Sequence, residues 1–553
     1  MGNCLKLFGK VPLSNKKEVL PIETTFRLPS SIPSWPSGVG FATGSIKLGE
    51  LELYQVSTFT KVWATHEGGQ DNLGATFFKP SPVPAGYFML GCYCQPNNKP
   101  LFGWVLVGKD GSDALAKPID YTLVWSSEST TIKQDGYGYI WLPTPPQGYV
   151  AVGHMVTSSS DKPSLDEIRC VRSDLTDACE NDTWIWGADK SNNSSGVNVY
   201  GSRPTTRGIQ ALGVSVGTFI AHVNGDTSPI SLACLKNKDF SLSYMPNLSQ
   251  IEALMQAYSP WIYLHPDESY LPSSVSWFFS NGALLYKQGG SAPTPIDPTG
   301  SNLPQDGSND GTYWLDLPID DGAKEKVKRG DIQSAECYLH VKPMLGGTFT
   351  DIAIWVFYPF NGPSKAKVEF INVSLGKIGE HVGDWEHVTL RVSNFNGELW
   401  RVYFSEHSGG RWMDASELEF QAGNKAATYA SLHGHAFYPK PGLVLQGNTK
   451  LGIGIRNDTA KGKIGMDTGR RFLLVAADHL GSVVGPPWLS YAREWGPKVD
   501  YDVASEIRKV GKLLPRKLKS ALEKLVNDLP KEVLGEEGPT GPKMKGNWNG
   551  DEV

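Results

Sequence analysis

The chain is 553 residues long and carries a formal charge of −5, with 60 glycines, 38 prolines and only 20% charged residues; that balance gives no global field for nucleic acid and points to β-structure with many turns. An apolar fraction of 40%, including 17 Trp, 21 Tyr and 21 Phe, fills a sizeable core and excludes wholesale disorder. No apolar run approaches the roughly 18 residues of a membrane-spanning helix, and seven cysteines without framework spacing point to free thiols in a reducing compartment.

In chain order, the first signal is Met1-Gly2-Asn3-Cys4 followed by Lys6, Lys10, Lys16 and Lys17. No apolar stretch with a cleavage site precedes it, so a secretory leader is not expected. Gly2 and Cys4 fit a dual lipid anchor: one myristoyl chain binds marginally, and a palmitoylated Cys4 or the lysines supply the second signal. This predicts a lipidated basic segment over residues 1–23. Next comes a repeat. Gly86-Tyr87-Phe88-Met89-Leu90-Gly91 and Gly148-Tyr149-Val150-Ala151-Val152-Gly153 each follow a proline turn, with a degraded third copy from Gly208 to Gly213, offset by 62 and then 60 residues. Three short buried strands at that period predict a three-fold prism-like β domain over residues 24–225. Residues 226–260 read as a linker with one short helix, in which Ser249 and Glu252 form a capping box and Ile251, Leu254, Met255 and Tyr258 share a face.

A second β-rich region, residues 261–500, shows strand patterns near 335–341, 351–358, 386–392, 399–405 and 472–476, and is read as a β-sandwich with a long mobile loop at 288–311. Leu514, Leu518, Leu522, Leu525 and Leu529 then recur at helical spacing among lysines and arginines, predicting amphipathic helices over 501–535. The polar, Gly/Pro-rich residues 536–553 predict a disordered tail. The fold class expected is therefore mainly β.

The densest cluster of ligand-type side chains is Glu380-His381-Val382-Gly383-Asp384-Trp385-Glu386-His387. A strand beginning at Asp384 sends Asp384 and Glu386 to one face and Trp385 and His387 to the other. With His381 folded back by Gly383, one imidazole and two carboxylates form a divalent-cation site suited to Ca²⁺ or Mg²⁺. Without a cation, the two carboxylates repel and act instead as an acid/base pair. Glu406, His407, His433 and His435 are further candidates, and on a strand His433 and His435 share a face.

The Met-Gly-Asn-Cys start, the Gly-Tyr repeats, residues 261–268, the 381–387 string, His433-Gly434-His435 and Trp495-Gly496-Pro497 together resemble the plant branch of the vacuolar protein sorting-associated protein 62 family, a domain family of unknown function. Residues 260–490 are also locally similar to the necrosis- and ethylene-inducing-like toxins, whose signature is Gly-His-Arg-His-Asp-Trp-Glu. That resemblance implies a lectin-like sandwich that binds a cation, here through His381, Asp384 and Glu386, and engages sphingolipid head groups. Val382 and Gly383 depart from the signature, and the toxins' further upstream acid has no Asp counterpart here, leaving Glu369 or Glu380 to substitute. Three functions compete. The first is a lipid-anchored binding protein on the cytoplasmic face of plasma membrane or endomembrane, using a cation to dock glycolipid head groups. The second is a trafficking scaffold. The third is a metal-dependent hydrolase with His387 or His433 as general base. No phosphate-cradling glycine loop follows a strand and the cluster has no obvious oxyanion donors, which ranks the enzyme last.

Overall fold

The computed structural model describes residues 19–188, 196–225, 227–407, 409–448, 452–498 and 538–552, with a few isolated residues between 499 and 537. The lipidation candidates Gly2 and Cys4 and nearly all of the 501–535 helical stretch lie outside the described residues. The architecture is mainly β, with few helices.

The N-terminal half consists of three β-units joined cyclically by backbone hydrogen bonds. Each has an inner sheet, built on Leu51–Val56, Leu115–Ala116 and the start of Thr176–Ala188 respectively, and an outer sheet. Backbone bonds close the ring: Arg169 N–H donates to Met89 C=O (3.0 Å), Ala233 N–H to Ala151 C=O (3.1 Å), and Leu106 N–H to Val216 C=O (2.9 Å). The equivalent residues are thus Met89, Ala151 and Val216. The true third copy therefore lies five residues beyond the Gly208–Gly213 stretch read from sequence, and Thr218 stands where the first two copies have Gly91 and Gly153. One tryptophan per unit, Trp63, Trp125 and Trp186, meets the other two with ring centroids 5.8–5.9 Å apart. Such aromatic pairs add about 0.5–1.5 kcal/mol each beyond their burial.

The expected boundaries shift at both ends. Strand Ala233–Lys236 completes the third unit, so the repeats extend past residue 225. Residues before the first repeat bridge the two halves: Phe26 N–H donates to Leu101 C=O (3.0 Å) and its ring meets Phe102 and stacks on Phe420, while Trp35 meets Tyr258. The helix Leu248–Tyr258 buries Ile251, Leu254, Met255 and Tyr258 as its periodicity requires. Its cap is Asn247 with Gln250, two residues earlier than the Ser249/Glu252 box read from sequence. Asn247 Oδ1 accepts from Gln250 N–H (3.0 Å), and Gln250 Oε1 accepts from Asn247 N–H (2.9 Å). The stretch 226–260 is therefore built into the core rather than a free linker.

The C-terminal half is organised by a six-stranded sheet in which His381–Ser393 and Phe349–Asn361 are central. One face packs, through Leu339, Ile354, Leu390 and Val402, against Trp261–Tyr263, Lys425–Ala430 and the helix. The other face carries Tyr338, Trp355, Phe357 and Trp385 beneath Val275–Ser280, Trp488, Trp495 and Trp548. The expected mobile loop 288–311 is fixed instead: Ile296 and Leu303 are buried, and Asp306 N–H donates to Ser490 C=O (2.6 Å). The expected disordered tail is likewise corrected over 538–552, because Trp548 and Glu552 are buried against this second face.

The two halves share a mixed apolar cluster in which Phe102 stacks on Trp400 at 4.3 Å. Beside it Asp414 accepts from Lys99 and from Arg401 (2.7 Å). Burial raises the Asp414 carboxyl, but Arg401 and Lys99 outweigh it and hold the pKa down at about 2. A folded-state pKa below the unfolded value contributes stability above the unfolded pKa that is lost as pH falls through the folded one. Asp414→Asn is therefore expected to cost about 2 kcal/mol at neutral pH, and the deficit to vanish between about pH 4 and pH 2. Urea melts of both proteins across that range test this; a deficit that stays constant with pH contradicts it.

Candidate functional site

The strand His381–Ser393 pairs with Phe349–Asn361 along its length but with Leu399–Glu406 only from Val388 onward. Residues 381–387 are thus a strand end open on one edge, and there a cavity of about 980 Å³ forms. His381, Asp384, Glu386 and His387 all line it, as do Asn361 and Ser405 on neighbouring strands and Thr205 and Arg207 of the N-terminal half. Gly383 turns the strand with φ +72°, a conformation glycine adopts without strain, and a Cβ there would strike the backbone of Trp495.

Period-two alternation holds. Asp384 and Glu386 point to one face, and Trp385 and His387 to the other. Asp384 Oδ2 accepts from His435 Nδ1 (2.8 Å), and His435 Nε2 donates to Tyr270 C=O (3.1 Å). Both ring nitrogens therefore donate, and the Tyr358 ring stacks on the imidazole at 3.8 Å. Burial opposes a charge on His435, yet Asp384 and Glu268 carry its pKa up to about 9. The Glu268 carboxylate is itself fixed by the N–H groups of His433 (2.6 Å), Tyr270 (2.8 Å) and Ser269 (2.9 Å). Glu386 accepts from the Ser405 hydroxyl. Its burial and the nearby Asp384 push its carboxyl well above the carboxylate range. Burial lowers His381, whose Nδ1 is buried without a hydrogen-bond partner.

The other candidates divide. His407 lines the cavity and its Nε2 contacts Asn457 Oδ1 (2.7 Å), while Glu406 pairs with Arg411 (2.6 Å) on a hairpin. His433 and His435 sit on a turn, both with left-handed backbone (φ +68° and +55°), rather than on the expected strand; His433 Nδ1 faces Pro363 C=O (3.3 Å). Such strain in non-glycine residues is a mark of functional turns. Glu380 lies outside the cavity lining, and Glu369 is at an exposed hairpin tip, so neither supplies the upstream acid. Asn361, paired directly with His381, lines the cavity there instead. His387 stacks on Trp355 at 4.3 Å and contacts Glu552, across the sheet from the two carboxylates, which removes it as a general base for water held there.

Among the described residues no three His, Cys, Asp or Glu side chains stand as a closed metal-ligand set. The donor chemistry nevertheless fits a hard cation: two buried carboxyl groups on one strand face and an imidazole nitrogen with no hydrogen-bond partner. Sequence reasoning did not single out Glu268, Tyr358 and Ser405 as site residues, since they come from distant segments with no shared motif.

The chain belongs to the vacuolar protein sorting-associated protein 62 family, whose family model matches residues 22–552. The vacuolar protein sorting-associated protein 62 of Saccharomyces cerevisiae is 35% identical over 111 residues, 19% of this chain and 22% of that protein. The match thus spans about a fifth of that relative's length. Among solved structures, GNIP1Aa from Chromobacterium piscinae aligns at 20% identity over 37% of this chain and 40% of its own, with a TM-score of 0.28. NLPPya in complex with glucosamine aligns at 15% identity over 34% and 66%, with a TM-score of 0.19. Necrosis and Ethylene inducing Protein 2 from the causal agent of cocoa's witches' broom disease aligns at 12% identity over 50% and 97%, with a TM-score of 0.16.

Proposed function

We propose that the chain is a binding protein of vacuolar or endomembrane sorting, in which His381, Asp384 and Glu386 hold a divalent cation that docks a polar head group or glycan in the adjoining cavity. The observation that carries this reading is the pair of buried carboxylates on one strand face beside an imidazole nitrogen without a partner, at the wall of a 980 Å³ cavity. The cation would supply positive charge and open positions for ligand oxygens; the chain's own residues orient the donors and limit water. The family's name supports the sorting role. Attachment to the cytoplasmic face of a membrane through Gly2 and Cys4 belongs to the same proposal; no helix among the described residues is long and apolar enough to cross a bilayer.

A second reading draws on the 2.8 Å contact of Asp384 with His435, which already neutralises one carboxylate and makes the cluster a structural lock. Asp384→Asn separates the two. With a cation at about 100 times its Kd, the wild type should gain about 2.7 kcal/mol, while the variant gains almost nothing. Thermal melts against Ca²⁺ and Mg²⁺ read this. A wild type with no cation-dependent shift removes the cation, and equal losses with and without cation favour the lock.

A further inference from the structure

The opposite face of the same sheet carries a second polar centre, independent of the cation reading. Lys342, fully buried in the middle of Cys337–Met344, and Arg391, bidentate to Asp351 (2.8 and 2.8 Å), stand beside His387 and Thr389. Arg207 of the N-terminal half joins them across the cavity. These elements thus bring three permanent cations together with two carboxylates, Asp351 bonded to Arg391 and Glu180 at 4.0 Å from Arg207.

The balance comes from residues 546–552. Glu552 Oε1 accepts from Thr389 (2.7 Å) and lies 3.5 Å from Lys342 Nζ, while Oε2 contacts His387 Nε2 (3.1 Å). Asp551 accepts from Arg391 (2.6 Å) and Arg207 (3.0 Å). Lys342 also donates to the carbonyls of Asn547 (2.9 Å) and Gly550 (3.4 Å), and Trp548 stacks on His340 at 3.9 Å. Burial would raise the Glu552 carboxyl, yet His387 and Lys342 hold it far below the usual range. The segment is held by two acids, a tryptophan and a few polar contacts. Apart from one bridge between Thr540 and Glu494, residues 538–552 pair with no strand.

A rigid sheet face with excess positive charge, filled by a short irregular acidic segment anchored through an aromatic ring, has the form of a peptide site with its ligand in place. We propose that Lys342, His387, Thr389, Arg391 and Arg207 form a receptor site for an acidic, tryptophan-bearing peptide, and that residues 546–552 occupy it in cis until an acidic segment of a partner protein displaces them. Because the segment also forms part of the wall of the 980 Å³ cavity, its displacement would widen that cavity.

The test uses the full chain and a fluorescein-labelled peptide with the sequence of residues 546–552. Asp551→Asn with Glu552→Gln weakens the cis occupant, so the peptide should bind this variant at least tenfold more tightly than the wild type. A control peptide carrying Asn-Gln for Asp-Glu should not bind. Equal binding to both proteins, or equal binding of both peptides, overturns the proposal. If the double variant fails to fold, hydrogen exchange of the wild type decides. Amides of 546–552 exchanging well before those of His381–Ser393 support a displaceable ligand, whereas exchange only with the central strand makes the segment core and overturns the proposal.

Discussion

Arg391→Met is expected to lower unfolding free energy by about 3–5 kcal/mol, because it leaves a buried carboxylate without its partner. Arg391 donates from Nε and Nη2 to the two oxygens of Asp351, which is fully buried, and its guanidinium also lies 4.2 Å over the Trp412 ring. Burial outweighs Arg391 and raises the Asp351 carboxyl even in the intact pair. Without the guanidinium that carboxyl rises further. A carboxyl whose folded pKa lies above its unfolded value stabilises the fold progressively as pH falls, so the deficit of Arg391→Met should shrink in mildly acidic buffer. Adding Asp351→Leu should recover part of the loss, since replacing both members of a buried pair costs less than removing one. Urea melts of the single and double variants at neutral and acidic pH measure this. A single-variant cost below about 1 kcal/mol would mean that water reaches Asp351 and that the pair is not sealed by the sheet and residues 546–552.

Features set by local pattern were legible in the sequence. Phe472–Ala476 and Leu399–Glu406 are short apolar runs bounded by turns, and the alternation through 384–387 placed the two carboxylates and the aromatic partner on their faces. The three-fold repeat was legible too, but the third copy was misplaced because Gly208 and Gly213 imitate the spacing while Thr218 occupies the axial position. A better signal was present: Val62-Trp63, Val124-Trp125 and Ile185-Trp186 recur at 62 and 61 residues and supply the central triad. What could not be read locally was pairing over long separations. Glu552 reaches His387 and Thr389 more than 160 positions away, and a Gly-rich polar stretch looks the same whether free or docked. His433-Gly434-His435 imitates strand alternation, yet tertiary contacts with Glu268 and Asp384 hold both histidines in a turn.

The axis of the N-terminal half provides the second large effect. A Cβ on Gly153 would sit 2.8 Å from Gly91 Cα, 2.8 Å from Leu90 O and 2.8 Å from Thr218 Cγ2. The first two are backbone of another unit, held by Arg169 N–H on Met89 and Cys92 N–H on His154 (2.9 Å), so they cannot yield without parting the ring of strands. Overpacking a core typically costs about 1–3 kcal/mol, and more where the neighbour is backbone. Gly153→Val is therefore expected to cost at least about 3 kcal/mol. Gly148 is the internal control: its φ of +85° strains any side chain, but nothing lies within 4 Å of an added Cβ. Gly148→Ala should cost only about 1 kcal/mol. Adding Thr218→Ala to Gly153→Val removes one of the three contacts and should restore stability only in part. Because Thr205 and Arg207 reach the cavity from the third unit, the damage should extend beyond the repeats. Loss of the ring loosens Arg207 from Asp551, and amides of 546–552 should then exchange faster in Gly153→Val than in the wild type at equal denaturant. Equal melting of Gly153→Val and Gly148→Ala would show that the units can separate at the axis without cost, which contradicts the backbone contacts that close it.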